Sequence, residues 1–257
     1  MDLRESQKGC VSRHPWELAR AEALRAIAGC YVVPYDGAGT LDIGCGDGFI
    51  IDSLCAGRGG NIDAVDINLT PEQIKALSSE RPGVSFHNTY QALAGNKYGL
   101  ITMFDVLEHV EDDGALLRDT VTRFAAPGGS LFCTVPAFQD LYCSHDVFLR
   151  HYRRYNISRL RGVLEGAGLR VIGSGYLFGL LLPVRALGVA TERLFGAADK
   201  DPGIGHWRHG RLFTTAVKAV LDADNRLLIQ LSRAGITLPG LTVWALCETP
   251  GPPTQRS

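Results

Sequence analysis

The stretch Leu41-Asp42-Ile43-Gly44-Cys45-Gly46-Asp47-Gly48-Phe49 constrains this chain more than any other. An apolar, acid-containing segment reads as a strand running into Gly44. Glycines at alternate positions (44, 46 and 48) then let the backbone turn sharply and leave bare peptide groups for a ligand to lie against. A helix is expected from Phe49, its free N–H groups facing an anionic group held in the turn. About twenty residues on, Ile62–Asn68 reads as a short buried strand ending in Asp66, placed to accept both hydroxyls of a ribose. The dinucleotide fingerprint would put a further glycine at position 49 for close helix–strand packing. Phe49 stands there instead, which weighs against a nicotinamide cofactor.

The rest of the chain fits an α/β domain around that turn. At 257 residues there is room for one such domain with an elaboration. A hydrophobic share of 46% supplies a core, and a formal net charge of −1 gives no bulk attraction for nucleic acid. The seven cysteines show no C-x-x-C spacing and read as reduced residues of a cytoplasmic protein. The first fifteen residues have no apolar leader-like run.

An amphipathic helix is expected over 14–33, opening at His14-Pro15-Trp16, and the sheet core over 38–178 and 238–248. Thr70-Pro71-Glu72-Gln73 has the form of a capped helix start, and Val84–His87 of a third strand with a structural His87. Tyr98–Phe104 reads as a fourth strand, and Asp112 or Asp113 as the cap of the helix that follows it. Gly129–Pro136 reads as a fifth strand and 169–178 as a sixth. This alternation argues a mainly parallel sheet with helices on both faces. Residues 179–236 are expected to form an inserted helical cap, and 250–257 a disordered tail. The greasy run Tyr176–Val184 is too short to cross a membrane, although an interfacial contact fits it.

The segments Asp42–Phe49, Ile62–Asn68, Asp105-Val106-Leu107-Glu108-His109 and Pro127–Pro136 occur in an order and spacing that resemble the motifs of class I S-adenosylmethionine-dependent methyltransferases. His14-Pro15-Trp16-Glu17-Leu18-Ala19-Arg20 and the run His145-Asp146 to His151-Tyr152-Arg153-Arg154-Tyr155 resemble the ubiquinone-biosynthesis O-methyltransferase group within them. The resemblance covers roughly residues 14–178 and 238–248. It implies a Rossmann-like, doubly wound seven-stranded sheet whose last strand inserts antiparallel between the fifth and sixth. It also implies S-adenosylmethionine as cofactor and methyl transfer to a small molecule. By the same resemblance Asp42, Gly44, Cys45 and Gly46 would shape the pocket for the methionine part, with Phe104 and Asp105 near its end. Asp66 would hold the ribose, Ile67 the adenine face, and Asn88 or Thr89 the adenine amino group.

Methyl transfer from a sulfonium is an in-line displacement, served mainly by alignment and exclusion of water. A hydroxyl acceptor also gains from a base near neutral pH, which singles out His109, His145 and His151 as catalytic candidates. Arg154 and Tyr155 are candidates for substrate binding, with Arg153 and Arg154 suited to an acidic or phosphorylated group. No metal is expected, because the acids around 111–113 are accounted for by a helix start. A lipid-like acceptor fits the apolar elements as well, and oligomeric state is open. Two other readings remain: a nicotinamide-dependent oxidoreductase, and a non-catalytic S-adenosylmethionine-binding regulatory module.

Overall fold

A computed structural model describes residues 13–31, 39–57, 59–196, 207 and 209–251. Seven strands form one sheet: β1 (Thr40–Ile43), β2 (Ile62–Val65), β3 (Val84–His87), β4 (Tyr98–Phe104), β5 (Ala125–Pro136), β6 (Arg170–Leu177) and β7 (Thr242–Glu248). Their order is β3-β2-β1-β4-β5-β7-β6. The first five run parallel, and β7 pairs antiparallel with both β5 and β6. This is the topology implied by the resemblance.

Strand order reverses between β1 and β4, which neighbour each other although two strands separate them in the chain. Open α/β sheets bind ligands at such a switch point, beyond the carboxyl ends of the strands. All four residues of β1 are buried, as a central strand covered on both faces must be.

Helices cover each face. On one side α4 (Asp113–Phe124) and α6 (Ile157–Gly166) bury Leu117, Phe124, Leu160 and Leu164 against the sheet. On the other, α1 (Pro15–Tyr31), α2 (Phe49–Cys55) and α8 (Arg211–Arg233) bury Leu24, Ile27, Ile51, Leu221 and Ile229 with Trp244. The remaining helices are α3 (Pro71–Glu80), α5 (Ser144–Leu149) and α7 (Leu181–Phe195). The capping signals are used as expected: Thr70 and Gln73 form a reciprocal capping box on α3, with Pro71 in its first turn. Asp112 takes the Ala115 amide at 2.8 Å to start α4. His87 bonds Asp63 at 2.9 Å and is structural.

The elaboration after β6 differs from an inserted cap. α8 lies along α1 and β6, where a Cβ on Gly175 would sit 2.3 Å from Ser232 Oγ. Its Asn225 takes the Phe178 amide at 2.9 Å. α8 is therefore a covering layer of the sheet, bound there because its apolar stripe continues the α1 surface. Only α7 stands outside, burying Val189 and leaving Val184, Leu187, Leu194 and Phe195 exposed. Most of the intervening loop, His206 included, and the tail 252–257 lie outside the described residues. Among the described residues no helix is long and apolar enough to cross a membrane.

Candidate cofactor and acceptor site

The glycine turn leaves β1 at the switch point. Gly44, Gly46 and Gly48 have φ of 72°, 54° and 72°, the left-handed region that glycine enters without a Cβ penalty. Sterics add a second reason at two of them. A Cβ on Gly44 would lie 2.5 Å from Val106 Cγ2, and one on Gly48 2.6 Å from the Phe86 ring. The close approach of Gly44 to Val106 also brings the β4 exit against the turn.

Asp66, at the exit of β2, closes the turn from the other side. Its Oδ2 accepts the Gly46 amide at 3.2 Å. Its Oδ1 accepts the Asn68 amide at 2.9 Å and the Asn68 side chain at 3.2 Å. Ile67 stands beside it, 70% exposed, as an open apolar surface. Asn88 donates its side-chain amide to Leu69 O at 3.2 Å, so it braces the loop after β2. Cys45 is buried; burial, then the Asp42 charge, pushes its thiol far up, and it is no nucleophile. Phe49, in place of the dinucleotide glycine, carries the Arg13 guanidinium 3.9 Å over its ring. Arg13 also pairs with Asp47; burial opposes that charge, but Arg13 holds the carboxyl below its ordinary range.

Asp42 is buried in the middle of β1, and Thr102 donates to its Oδ1 at 2.6 Å. Burial pushes this carboxyl up to about 7, against the Thr102 hydrogen bond. Phe104 packs its ring edge-to-face on Phe132 at 5.1 Å and is part of the core on that face of the sheet.

The β4 exit supplies the most charged part of the site. Asp105 has φ 56°, donates its amide to Thr134 O at 2.9 Å and accepts Thr134 Oγ1 at 3.0 Å. Arg20 reaches over from α1 to Asp105 at 2.8 Å and to Thr134 at 2.9 Å. Arg20 is 2% exposed, and its Nε has no hydrogen-bond partner. Sequence reasoning missed Arg20 as a site residue. Its signal lay in the spacing from Trp16, whose ring faces the guanidinium at 5.3 Å.

A short turn, Leu107–His109, then carries Glu108 and His109 toward the loop after β5. Glu108 is 1% exposed with Oε2 unpartnered; burial, then the Asp105 charge, pushes its carboxyl well above the usual range. The ring of His109 meets that of His151 edge-to-face, centroids 4.6 Å apart. Donor atoms of Glu108, His109 and His151 all lie within 4.8 Å of one another. It is the one such group among the described residues, rich enough to attract a divalent cation as well as to move a proton. The sequence alone points to no metal and does not reveal this convergence. His145 sits half-buried on α5, next to Asp146.

The substrate-binding expectation for Arg154 and Tyr155 needs correction. Arg154 is 6% exposed and spends its donors on Asp146 at 2.8 Å and Ala137 O at 3.1 Å. The Tyr155 hydroxyl is buried between Asp113 at 2.6 Å and Leu107 O at 3.2 Å. Arg153 pairs with Asp113 at 3.1 Å. The acids these residues were expected to find on a substrate are the protein's own, because the loop folds inward.

A seven-stranded sheet with this order, a glycine turn leaving its central strand and an acid at the end of the next define the Rossmann-like methyltransferase class. The methyltransferase-domain family model matches residues 22–173. The chain belongs to this family, that of the class I S-adenosylmethionine-dependent methyltransferases, and S-adenosylmethionine is its cofactor. A ubiquinone biosynthesis O-methyltransferase of Albidiferax ferrireducens is 31% identical over 109 residues, covering 40% of this chain and 42% of the relative. Another from Xylella fastidiosa is 34% identical over 108 residues, covering 39% and 42%. The chain thus spans less than half the length of these curated relatives. Among solved structures, an N-methyltransferase of Bradyrhizobium japonicum in complex with S-adenosylhomocysteine superposes with a TM-score of 0.52 at 15% identity, covering 97% and 95% of the two chains. At that identity the likeness is one of fold.

Proposed function

We propose that the protein transfers the S-adenosylmethionine methyl group to a hydroxyl of a small molecule. The observation that carries this reading is the Gly46–Asp66 hydrogen bond, which joins the glycine turn after β1 to the carboxylate at the exit of β2. Peptide groups at Gly44, Cys45 and Gly46 receive the cofactor, Asp66 takes the ribose hydroxyls, and Ile67 covers one adenine face. Asp42, and Arg20 with Asp105, face the methionine end.

When the acceptor oxygen attacks, its bond to the methyl carbon forms as the carbon–sulfur bond breaks. S-adenosylmethionine bound there would supply the methyl carbon and keep the electron pair of the broken bond as a neutral thioether. The acceptor hydroxyl proton passes to His109, which follows the β4 exit directly. Much of the acceleration comes from holding the three atoms in line in a dry pocket. The base adds on the order of a hundredfold or more. The name of the curated relatives supports oxygen as the acceptor atom.

A nicotinamide enzyme is disfavoured by Phe49. Isothermal titration with S-adenosylhomocysteine and with NAD separates the two, and only the first is expected to bind. Conversion of S-adenosylmethionine to S-adenosylhomocysteine over a panel of phenols, catechols, amines and carboxylates then identifies the acceptor. Turnover confined to amines would contradict the oxygen assignment, and silence across the panel despite tight binding would favour a regulatory module.

A further inference from the structure

Behind His109 lies a histidine whose partners run steadily inward. His151 has a side chain 7% exposed, and its Nδ1 stands 2.8 Å from Asp146 Oδ1. Asp146 is fully buried. The same Oδ1 accepts Arg154 Nε at 2.8 Å, and Oδ2 accepts the Cys143 amide at 3.0 Å. Arg154 in turn is anchored on Ala137 O, directly after β5. Burial opposes charge on Asp146, but hydrogen bonds from His151 and Arg154 outweigh it and hold the carboxyl well below the usual range. A fixed carboxylate at Nδ1 favours a proton there and turns Nε2 to the far edge of the ring.

The backbone of His151 is held independently of its ring. The His151 amide already donates to Asp146 O at 2.9 Å, and its carbonyl accepts the Tyr142 hydroxyl at 2.7 Å. Besides Asp146, the ring contacts that of His109, edge-to-face.

We propose that Asp146 and His151 are positioning residues for His109. The Asp146 carboxylate fixes the tautomer and plane of the His151 ring, and that ring fixes the plane of His109 against the acceptor. This rests on the reading of His109 as the base.

The test is long-range nitrogen–proton correlation NMR of the histidine rings in the full chain, with and without S-adenosylhomocysteine, for wild type, Asp146→Asn and His151→Gln. In wild type, His151 is expected to carry its proton on Nδ1. Asp146→Asn should move that proton toward Nε2, and both variants should change the tautomer or ring shifts of His109. Signals of His109 identical in all three samples would reduce the pair to a loop brace and overturn the proposal. So would a wild-type His151 protonated on Nε2, which decides the matter even if Asp146→Asn does not fold. A stoichiometric divalent cation in the purified chain, bound through His109 and His151, would overturn it too. Binding of S-adenosylhomocysteine to the same samples tests the cofactor reading separately, since the rings report on the pair whether or not the ligand binds.

Discussion

The amide of Gly46 donates to Oδ2 of Asp66, so the turn after β1 and the acid after β2 form one hydrogen-bonded unit. Asp66→Ala removes both the acceptor for that amide and the contact proposed for the ribose. Hydrogen bonds to a charged group contribute about 1.5–3 kcal/mol each, so affinity for S-adenosylhomocysteine should fall by roughly tenfold to a hundredfold. Calorimetric titration measures it; unchanged affinity would remove the ribose assignment.

Gly44→Ala combines a left-handed φ with a Cβ 2.5 Å from Val106 Cγ2. Each effect costs about 1–3 kcal/mol, and the clash is with a short, stiff side chain. Melting temperature and cofactor affinity should both drop. Adding Val106→Ala should restore part of the loss by opening space, while the backbone cost stays. A Gly44→Ala variant as stable as wild type would contradict the turn geometry.

Asp42 makes stability depend on pH in an unusual direction for a carboxylate. Its folded value of about 7 lies above the ordinary 3.8 of an aspartate in water. The folded chain therefore keeps a proton that the unfolded chain loses, and stability is full at low pH and declines as pH rises through 7. The gap corresponds to at most about 4 kcal/mol. Asp42→Asn should flatten this decline in urea melts run from pH 5 to about pH 8. A wild-type slope surviving the substitution would place the proton elsewhere. Because a cation near Asp42 favours its ionised form, cofactor binding below pH 7 should release a proton, seen as heats that vary with the buffer.

Arg20→Ala strips Asp105 and Thr134 of their shared donor. Asp105 is about one-third exposed, its side chain 34%, so water screens part of the loss. A destabilisation of about 1–2 kcal/mol is expected, together with weaker cofactor binding. Normal binding by this variant would confine Arg20 to a structural role.

His109→Gln should lower turnover on an acceptor found by the panel by about a hundredfold, with S-adenosylhomocysteine affinity within about twofold. Equal turnover would move the proton to another group.

The glycine turn and the acid facing it were legible because their constraints are local. A turn that needs bare peptides declares itself through Gly44, Gly46 and Gly48, and a strand ending in an acid through Asp66. The sheet followed from strand–helix alternation, and its antiparallel last strand from the family resemblance. What escaped was set by tertiary folding. Arg20 lies on a helix remote in sequence from Asp105, and its spacing from Trp16 does not say which strand end its head meets. Arg154 and Tyr155 looked like surface chemistry because the loop after β5 is polar, yet Asp146 and Asp113 draw it inside. α8 looked like a cap because the sequence does not say that its stripe continues the surface of α1.

Isothermal titration of the purified full chain with S-adenosylhomocysteine, run beside Asp66→Ala and against NAD, goes to the centre of the matter. One equivalent should bind the wild type, with affinity lost in the variant and no heat from NAD. No heat from S-adenosylhomocysteine, or saturable binding of NAD in its place, would contradict the assignment of the turn and of Asp66.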